Sequence, residues 1–206
     1  MKSLTMWQIE LIPWYVFAGY WVIAWLRVKR TKAREKSLDR LITLVVVVIA
    51  YNLLFAQWLR IGLLRLRFLP EDPRIAWAGI AVTCLGVAVA VWARYCLGEY
   101  WSARVTLKER HQLICNGPYG FVRHPIYTGM LLGAVGTALV VGEWRGVLAV
   151  VMLLAAHSRK AIREESMLTT EFGEEYTAYR QKTGFLLPRL SGRSRLVTRV
   201  DAATRL

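Results

Sequence analysis

Cysteine is scarce in this chain. Cys84, Cys96 and Cys115 are its three cysteines in 206 residues, and their spacings of 12 and 19 match no zinc pattern. Neither a disulfide framework nor a structural metal is expected. Histidine is equally rare: His111, His124 and His157 are too few and too scattered to argue for a metal centre. The phosphate-cradling loop G-x-x-x-x-G-K-[ST] and the nucleophile elbow G-x-S-x-G are both missing. No strand precedes the glycines of residues 129–136, which excludes a dinucleotide-binding fingerprint there. Acidic residues are few, 14 against 28 Lys and Arg, leaving a net charge of +14. No DNA- or RNA-binding motif accompanies that surplus, so nucleic acid is not expected as a partner.

The chain is instead rich in long apolar runs. Hydrophobic residues make up 55% of it, and blocks at residues 7–26, 41–59 and 75–97 each approach bilayer length, which takes about 20 apolar residues for a helix. The first block has no basic leader beyond Lys2 and no small-residue cleavage site, so it reads as a retained span. Trp7, Trp14 and Tyr15 suit an interfacial aromatic belt, and Pro13 is expected to tilt or kink the helix. In the second block Asn52 and Gln57 are expected to make interhelical hydrogen bonds. In the third, Gly79 and Gly86 mark places of close helix approach.

A polar segment of about 25 residues, 98–123, follows, and connections of that length are commonly functional. After Pro125 come two shorter apolar runs, "IYTGMLLGAVGTALVVG" and "GVLAVVMLLAAH", which read as a helical hairpin turning near residues 142–146. Gly129 and Gly133, four apart, suit close contact within that hairpin. The second arm should continue past His157 into a charged extension. Phe172, Tyr176 and Tyr179 on that extension are expected to pack on the head-group layer.

Five crossings result, and charge sets their direction. Arg27, Lys29, Arg30, Lys32, Arg34, Lys36 and Arg40 fill the first loop, and ten more basic residues lie within residues 159–205. The positive-inside rule then puts the N-terminus outside, with this loop, the 98–123 segment and the tail in the cytoplasm. The same charge favours contact with anionic membrane lipids.

Two constellations carry candidate chemistry. In "GPYGFVRHPIYTGM", residues 117–130, Pro125 opens a helix, so Arg123 and His124 stand at its positive N-terminal end. Such an end suits an anion, and the turn at Gly117, Pro118, Tyr119 and Gly120 could fold Tyr119 and His111 over the same spot. A capped helix with a snorkelling arginine is the plainer reading. Downstream, Glu164 and Glu165 sit on the extension, flanked by Lys160 and Arg163. Ion pairing along the helix is the plain explanation, with a carboxylate holding hydroxyls or an ammonium group of a ligand as the alternative, for which two adjacent glutamates alone are weak evidence.

Taken together, "ERHQLICNGPYGFVRHPIYTGMLLGAVGTAL" and "REESMLTTEFGEEYTAYRQKTGFLLPRL" closely resemble the isoprenylcysteine carboxyl methyltransferase family of integral membrane enzymes. Phospholipid methyltransferases belong to the same broad group. The resemblance covers roughly residues 95–190, with the order and spacing of both motifs kept. It implies S-adenosyl-L-methionine as cofactor, held by the C-terminal half. His111, Gln112, Leu113, Ile114 and Tyr119 would line the cofactor; His124, Pro125, Ile126 and Tyr127 would hold its methionine end or adenosine. Arg123 and Glu165 would adjoin it, and Glu164 matches the family's cofactor-binding glutamate. The catalytic set is then His124, Tyr127, Glu164 and Lys160. Lys160 falls where the family has a substrate-contacting arginine, and a lysine lacks that bidentate fork.

The expected architecture is an all-α integral membrane protein of about five transmembrane helices, the last two a hairpin, with a cytosolic C-terminal cofactor-binding region. Residues 1–97 form a three-helix transmembrane region, 98–190 the catalytic region and 191–206 a basic tail. The expected activity is methyl transfer to a lipophilic small-molecule or lipid-anchored acceptor in a bacterial inner membrane. The rivals are a membrane NADPH-dependent sterol-type reductase relative and a non-catalytic scaffold with the same fold.

Overall fold

The computed structural model describes residues 5–25, 37–98 and 113–189. His111, Gln112 and the basic tail lie outside them. The architecture is all-helical: α1 (Met6–Trp25), α2 (Ser37–Phe55), α3 (Pro73–Leu97), α4 (Pro125–Val141), α5 (Trp144–Phe172) and α6 (Glu174–Lys182). Among the described residues there is no strand, and two isolated bridges, Arg67 with Glu143 and Val122 with Gly184, tie loops together. By length and apolarity, α2 from Leu38 and the whole of α3 are able to cross a membrane, whereas α4 has 17 residues.

The closest packing in the molecule is between α3 and α4, and it is built on missing side chains. A Cβ on Gly86 would lie 2.3 Å from the Gly133 amide nitrogen, and one on Gly129 would lie 2.5 Å from the Gly86 carbonyl oxygen. Gly79 and Gly136 repeat the arrangement further along. The order of these pairs makes the helices antiparallel. Gly129 therefore serves the α3 contact rather than the hairpin expected from its spacing, and the open face of Gly133 takes the Trp14 ring of α1, where an added Cβ would lie 3.1 Å from it. The hairpin's own close approach is Gly146 against Ala138, where an added Cβ would meet backbone at 3.1 Å. Its turn is also tighter than residues 142–146: Gly142 adopts φ 63 and Glu143 is already the N-cap of α5. The left-handed cap is a conformation that glycine adopts without steric cost.

α1 is fastened to this pair by a buried polar knot. The Glu10 carboxylate oxygen Oε1 accepts from Thr83 Oγ1 at 2.8 Å and Thr137 Oγ1 at 2.6 Å, and Trp14 Nε1 donates to Thr137 at 2.9 Å. Pro13 lies beside it, buried inside α1. α2 packs on α5, with Ala50, Leu53, Leu54, Ala149 and Leu153 in one core cluster. Asn52 does not reach another helix. Its amide donates to Val48 O one turn back, and Gln57 lies beyond the helix end in a short 3-10 turn.

Arginines close the helix ends, where backbone carbonyls lack intrahelical donors. Arg145, 2% exposed, donates to Leu53 O at 2.7 Å and Ala56 O at 3.1 Å at the C-terminal end of α2. Glu143 balances it, accepting from Arg145 Nε at 2.7 Å and pairing with Arg60 at 2.6 Å. At the opposite end of the bundle Arg94 donates to Ala24 O at 2.9 Å and Gly98 O at 2.6 Å. Asp39 at the start of α2 pairs there with Arg163 and Arg159 of α5.

Gly86→Ala should lower stability by about 1–3 kcal/mol, since the clash is backbone against backbone. Gly19→Ala, with nothing within 4 Å of the added carbon, should be neutral or gain up to about 1 kcal/mol. Thermal unfolding in detergent compares the two.

Candidate active site

The end of the bundle that carries Arg94 and Asp39 also gathers the motif residues. Gly117–Gly120 form a 3-10 turn, and Tyr119 is buried beneath it against Ala93 and Ile126. Pro125 begins α4 with His124 as N-cap at φ −126. The backbone just before α4 is already satisfied. Arg123 N donates to Gly184 O at 2.8 Å and His124 N to Phe185 O at 3.3 Å, while Gly184 N returns to Phe121 O at 3.0 Å. Thr128 Oγ1 adds a bond to Leu186 O at 2.7 Å. The segment after α6 therefore lies alongside the motif like a short parallel strand.

The cationic helix mouth is met by the protein's own carboxylates. Glu164 and Glu165 are adjacent on α5, so their side chains leave the helix about 100° apart and reach His124 from two sides. His124 Nε2 lies 3.2 Å from Glu165 Oε1, and Nδ1 lies 3.6 Å from Glu164 Oε2. The second is a charge contact, longer than a hydrogen bond. Arg123 Nε donates to the same Glu165 Oε1 at 2.6 Å. The Tyr127 hydroxyl donates to Glu164 Oε1 at 2.6 Å.

Aromatic rings complete the arrangement. His124 stacks on Tyr127 (centroids 5.8 Å apart, planes 16°), and His157 stacks on Tyr127 (5.0 Å, 8°). The Lys160 ammonium stands 5.6 Å from the Tyr127 ring centroid, in cation–π range. His124, Tyr127, Lys160, Glu164, Arg123 and Glu165 are thus brought together, as the motif implies. Pro125 is fully buried at their base, and Ile126 and Ile114 pack with Tyr119 in the adjoining apolar cluster. Leu113 is half-buried at the edge of the described chain.

His157 was not singled out from the sequence, although it precedes Lys160 by three and Glu164 by seven residues on one helix face. Tyr176 and Tyr179 turn inward instead of resting on head groups. Tyr176 is 1% exposed, and the Tyr179 hydroxyl donates to Tyr119 O at 2.8 Å. Their aromatic spacing suited either surface, and only the docking of α6 decides between them.

Electrostatics follow the geometry. Burial works against a charged His124, but its contacts with Glu164 and Glu165 outweigh it and raise the pKa above 6.5. Burial also works against ionised Glu164, yet His124, the Lys160 charge and the Tyr127 hydrogen bond hold it below 4.5. Glu165 is likewise held below 4.5 against its burial, by His124 and Arg123. The resting site is a charged, internally paired cluster.

Comparison with known proteins decides the family. A profile of phospholipid methyltransferases matches residues 75–175. The protein-S-isoprenylcysteine O-methyltransferase of Schizosaccharomyces pombe is 31% identical over 114 residues, covering 54% of this chain and 48% of the relative. A probable protein-S-isoprenylcysteine O-methyltransferase of Oryza sativa subsp. indica is 31% identical over 117 residues, covering 55% of this chain and 61% of that one. The chain belongs to the isoprenylcysteine carboxyl methyltransferase and phospholipid methyltransferase family.

Its fold agrees with a solved family structure. The eukaryotic intramembrane Ras methyltransferase ICMT superposes with a TM-score of 0.53 at 18% identity, covering 87% of this chain and 67% of that one. This family member is an integral membrane protein. It spans about half to three fifths of the length of the curated relatives, 48% and 61%.

The pairing predicts a pH profile for this family member. Stability from His124 is complete below pH 6.5 and is lost as pH rises through its raised pKa. Stability from Glu164 and Glu165 is complete above pH 4.5 and is lost as pH falls through their lowered values. Thermal unfolding in detergent should be flattest between pH 4.5 and 6.5, and His124→Gln should remove most of the alkaline decline.

Proposed function

We propose that the chain is an S-adenosylmethionine-dependent methyltransferase of the membrane, acting on a lipophilic acceptor. The observation that carries this reading is the convergence of His124 and Glu164, forty residues apart, at one paired cluster beside Tyr127. Family membership adds to it, since the relatives are named as methyltransferases of S-isoprenylcysteine.

The residues fit the cofactor. Its methionine end carries an ammonium and a carboxylate, and the loose His124–Glu164 pair at 3.6 Å offers the complementary charges. The apolar cluster of Tyr119, Ile126 and Ile114, with the stacked rings of Tyr127 and His157, suits an adenine or thioether surface. When bound, S-adenosylmethionine supplies an electrophilic methyl group on a sulfonium. The chain's own task is orientation and exclusion of water, which together can contribute roughly 7–11 kcal/mol to the rate.

Glu164 neutralises positive charge, Tyr127 fixes the Glu164 carboxylate, and Lys160 faces the same ring as a cation for an acidic acceptor. An acceptor that arrives as a carboxylate needs no base. A thiol or amine would need one, and the paired state of His124 argues against it in that role. The acceptor class we favour is the carboxylate of an isoprenylcysteine-like molecule, with other lipid-like nucleophiles as alternatives. We also read five crossings, with the N-terminus outside and this site on the cytoplasmic side of a bacterial inner membrane. The basic first loop and the pairing of Asp39 with Arg159 and Arg163 support that orientation.

Isothermal titration with S-adenosylhomocysteine should give saturable binding to the wild type. Glu164→Ala should weaken it at least tenfold, about 1.4 kcal/mol. Heat from NADPH and none from S-adenosylhomocysteine would instead support a reductase; heat from neither would support a scaffold. Lipid extracts labelled with isotopic methyl donor, compared between wild type and Tyr127→Ala, then identify the acceptor.

A further inference from the structure

The two adjacent glutamates are not equivalent. Glu165 has both oxygens committed to protein cations. Its Oε1 accepts from Arg123 Nε at 2.6 Å and faces His124 Nε2 at 3.2 Å, and Oε2 lies 3.8 Å from Arg180 Nε. Arg123 is anchored in turn, donating to Thr183 O at 2.6 Å and Arg180 O at 3.3 Å at the C-terminal end of α6, with its guanidinium 5.7 Å from the Phe185 ring centroid. Glu164 is the more open of the two, its side chain 24% exposed against 11%. Its contact with His124 is the longer one.

We propose that Glu165 is a positioning residue that touches no ligand: braced by Arg123, it fixes the His124 ring through Nε2, so that Nδ1 and Glu164 form the ligand-facing pair. The proposal rests on the cofactor reading above. Both ring nitrogens donate only in the imidazolium, so a carboxylate on each nitrogen selects that form. The groups facing His124 are consistent with it. From α5 come Glu164 and Glu165, with Lys160 and His157 across the Tyr127 ring. From α4 comes Tyr127; from α6, Arg180 and Tyr176 adjoin Glu165; Phe185 brings a ring without charge. Glu165 is thus the buried acceptor that stays in place when a ligand occupies Glu164.

The test reads His124 directly. In protein labelled with 15N at its three histidines, His111, His124 and His157, the His124 signal is the one absent from His124→Gln. Glu165→Gln should lower the His124 titration midpoint by at least one pH unit. Arg123→Gln, which leaves the Glu165 charge less compensated, should raise it. Opposite shifts cannot come from general loosening; no shift in either variant, or the same shift in both, overturns the proposal.

Affinity for S-adenosylhomocysteine gives the second reading. At pH 5.5, Glu165→Gln should bind within threefold of wild type, and its affinity should fall at a lower pH than wild type as pH is raised. Glu164→Gln should be weakened at every pH. Equal weakening of Glu165→Gln at all pH values would make Glu165 a direct ligand contact and overturn the proposal. Should the wild type bind no S-adenosylhomocysteine, the cofactor reading fails, and the histidine titration alone decides the Glu165–His124 link.

Discussion

Backbone contact between α3 and α4 sets the positions of the remaining parts. With no side chain at Gly79, Gly86, Gly129 or Gly136, the two helices meet main chain to main chain. Lipid offers apolar side chains no reason to leave it, so intimate van der Waals packing and buried polar contacts are what hold such helices together. That seam carries Thr83 and Thr137, which take the Glu10 carboxylate and so fix α1. It also fixes the start of α4, where Pro125 and His124 must meet α5. A shift along the seam would move His124 away from both glutamates.

The helices and the site differed in how far they could be read from residues. Apolar blocks located α1, α2 and α3, and Pro125 marked the start of α4, because burial and chain stiffness act locally. Pairing was less accessible. Glycines four apart suit a contact with any neighbour, and only the three-dimensional arrangement assigns Gly129 to α3 and the open face of Gly133 to Trp14 of α1. Asn52 had a partner within its own helix, which a search for interhelical bonds passes over. Arg123, His124 and Tyr127 stood out because R-H-P-x-Y following H-x-L-x-x-x-G-x-Y is a specific pattern, and Glu164 only through the resemblance, since two adjacent glutamates alone say little. His157 was not: it is a lone histidine at the end of an apolar run, and its ring stack on Tyr127 depends on how α5 faces α4.

Charge within the site is organised as exchangeable pairs. A cationic helix end would be costly if buried without partners, and the chain answers by supplying Glu164 and Glu165 from α5. The Arg123–Glu165 pair is tight, at 2.6 Å, and the His124–Glu164 pair is loose, at 3.6 Å. Tyr127 adjoins the second, with its hydroxyl on Glu164 and its ring between two imidazoles.

The parallel bridge between Val122 and Gly184 has a consequence for the order of assembly. Partners for the Arg123 and His124 amides are made some sixty residues later, at Gly184 and Phe185. During synthesis the hairpin is therefore complete before its mouth can close. A nascent chain halted just ahead of that segment would hold its helices yet leave the Arg123 and His124 amides without these partners, so the cluster closes only when Gly184 and Phe185 dock.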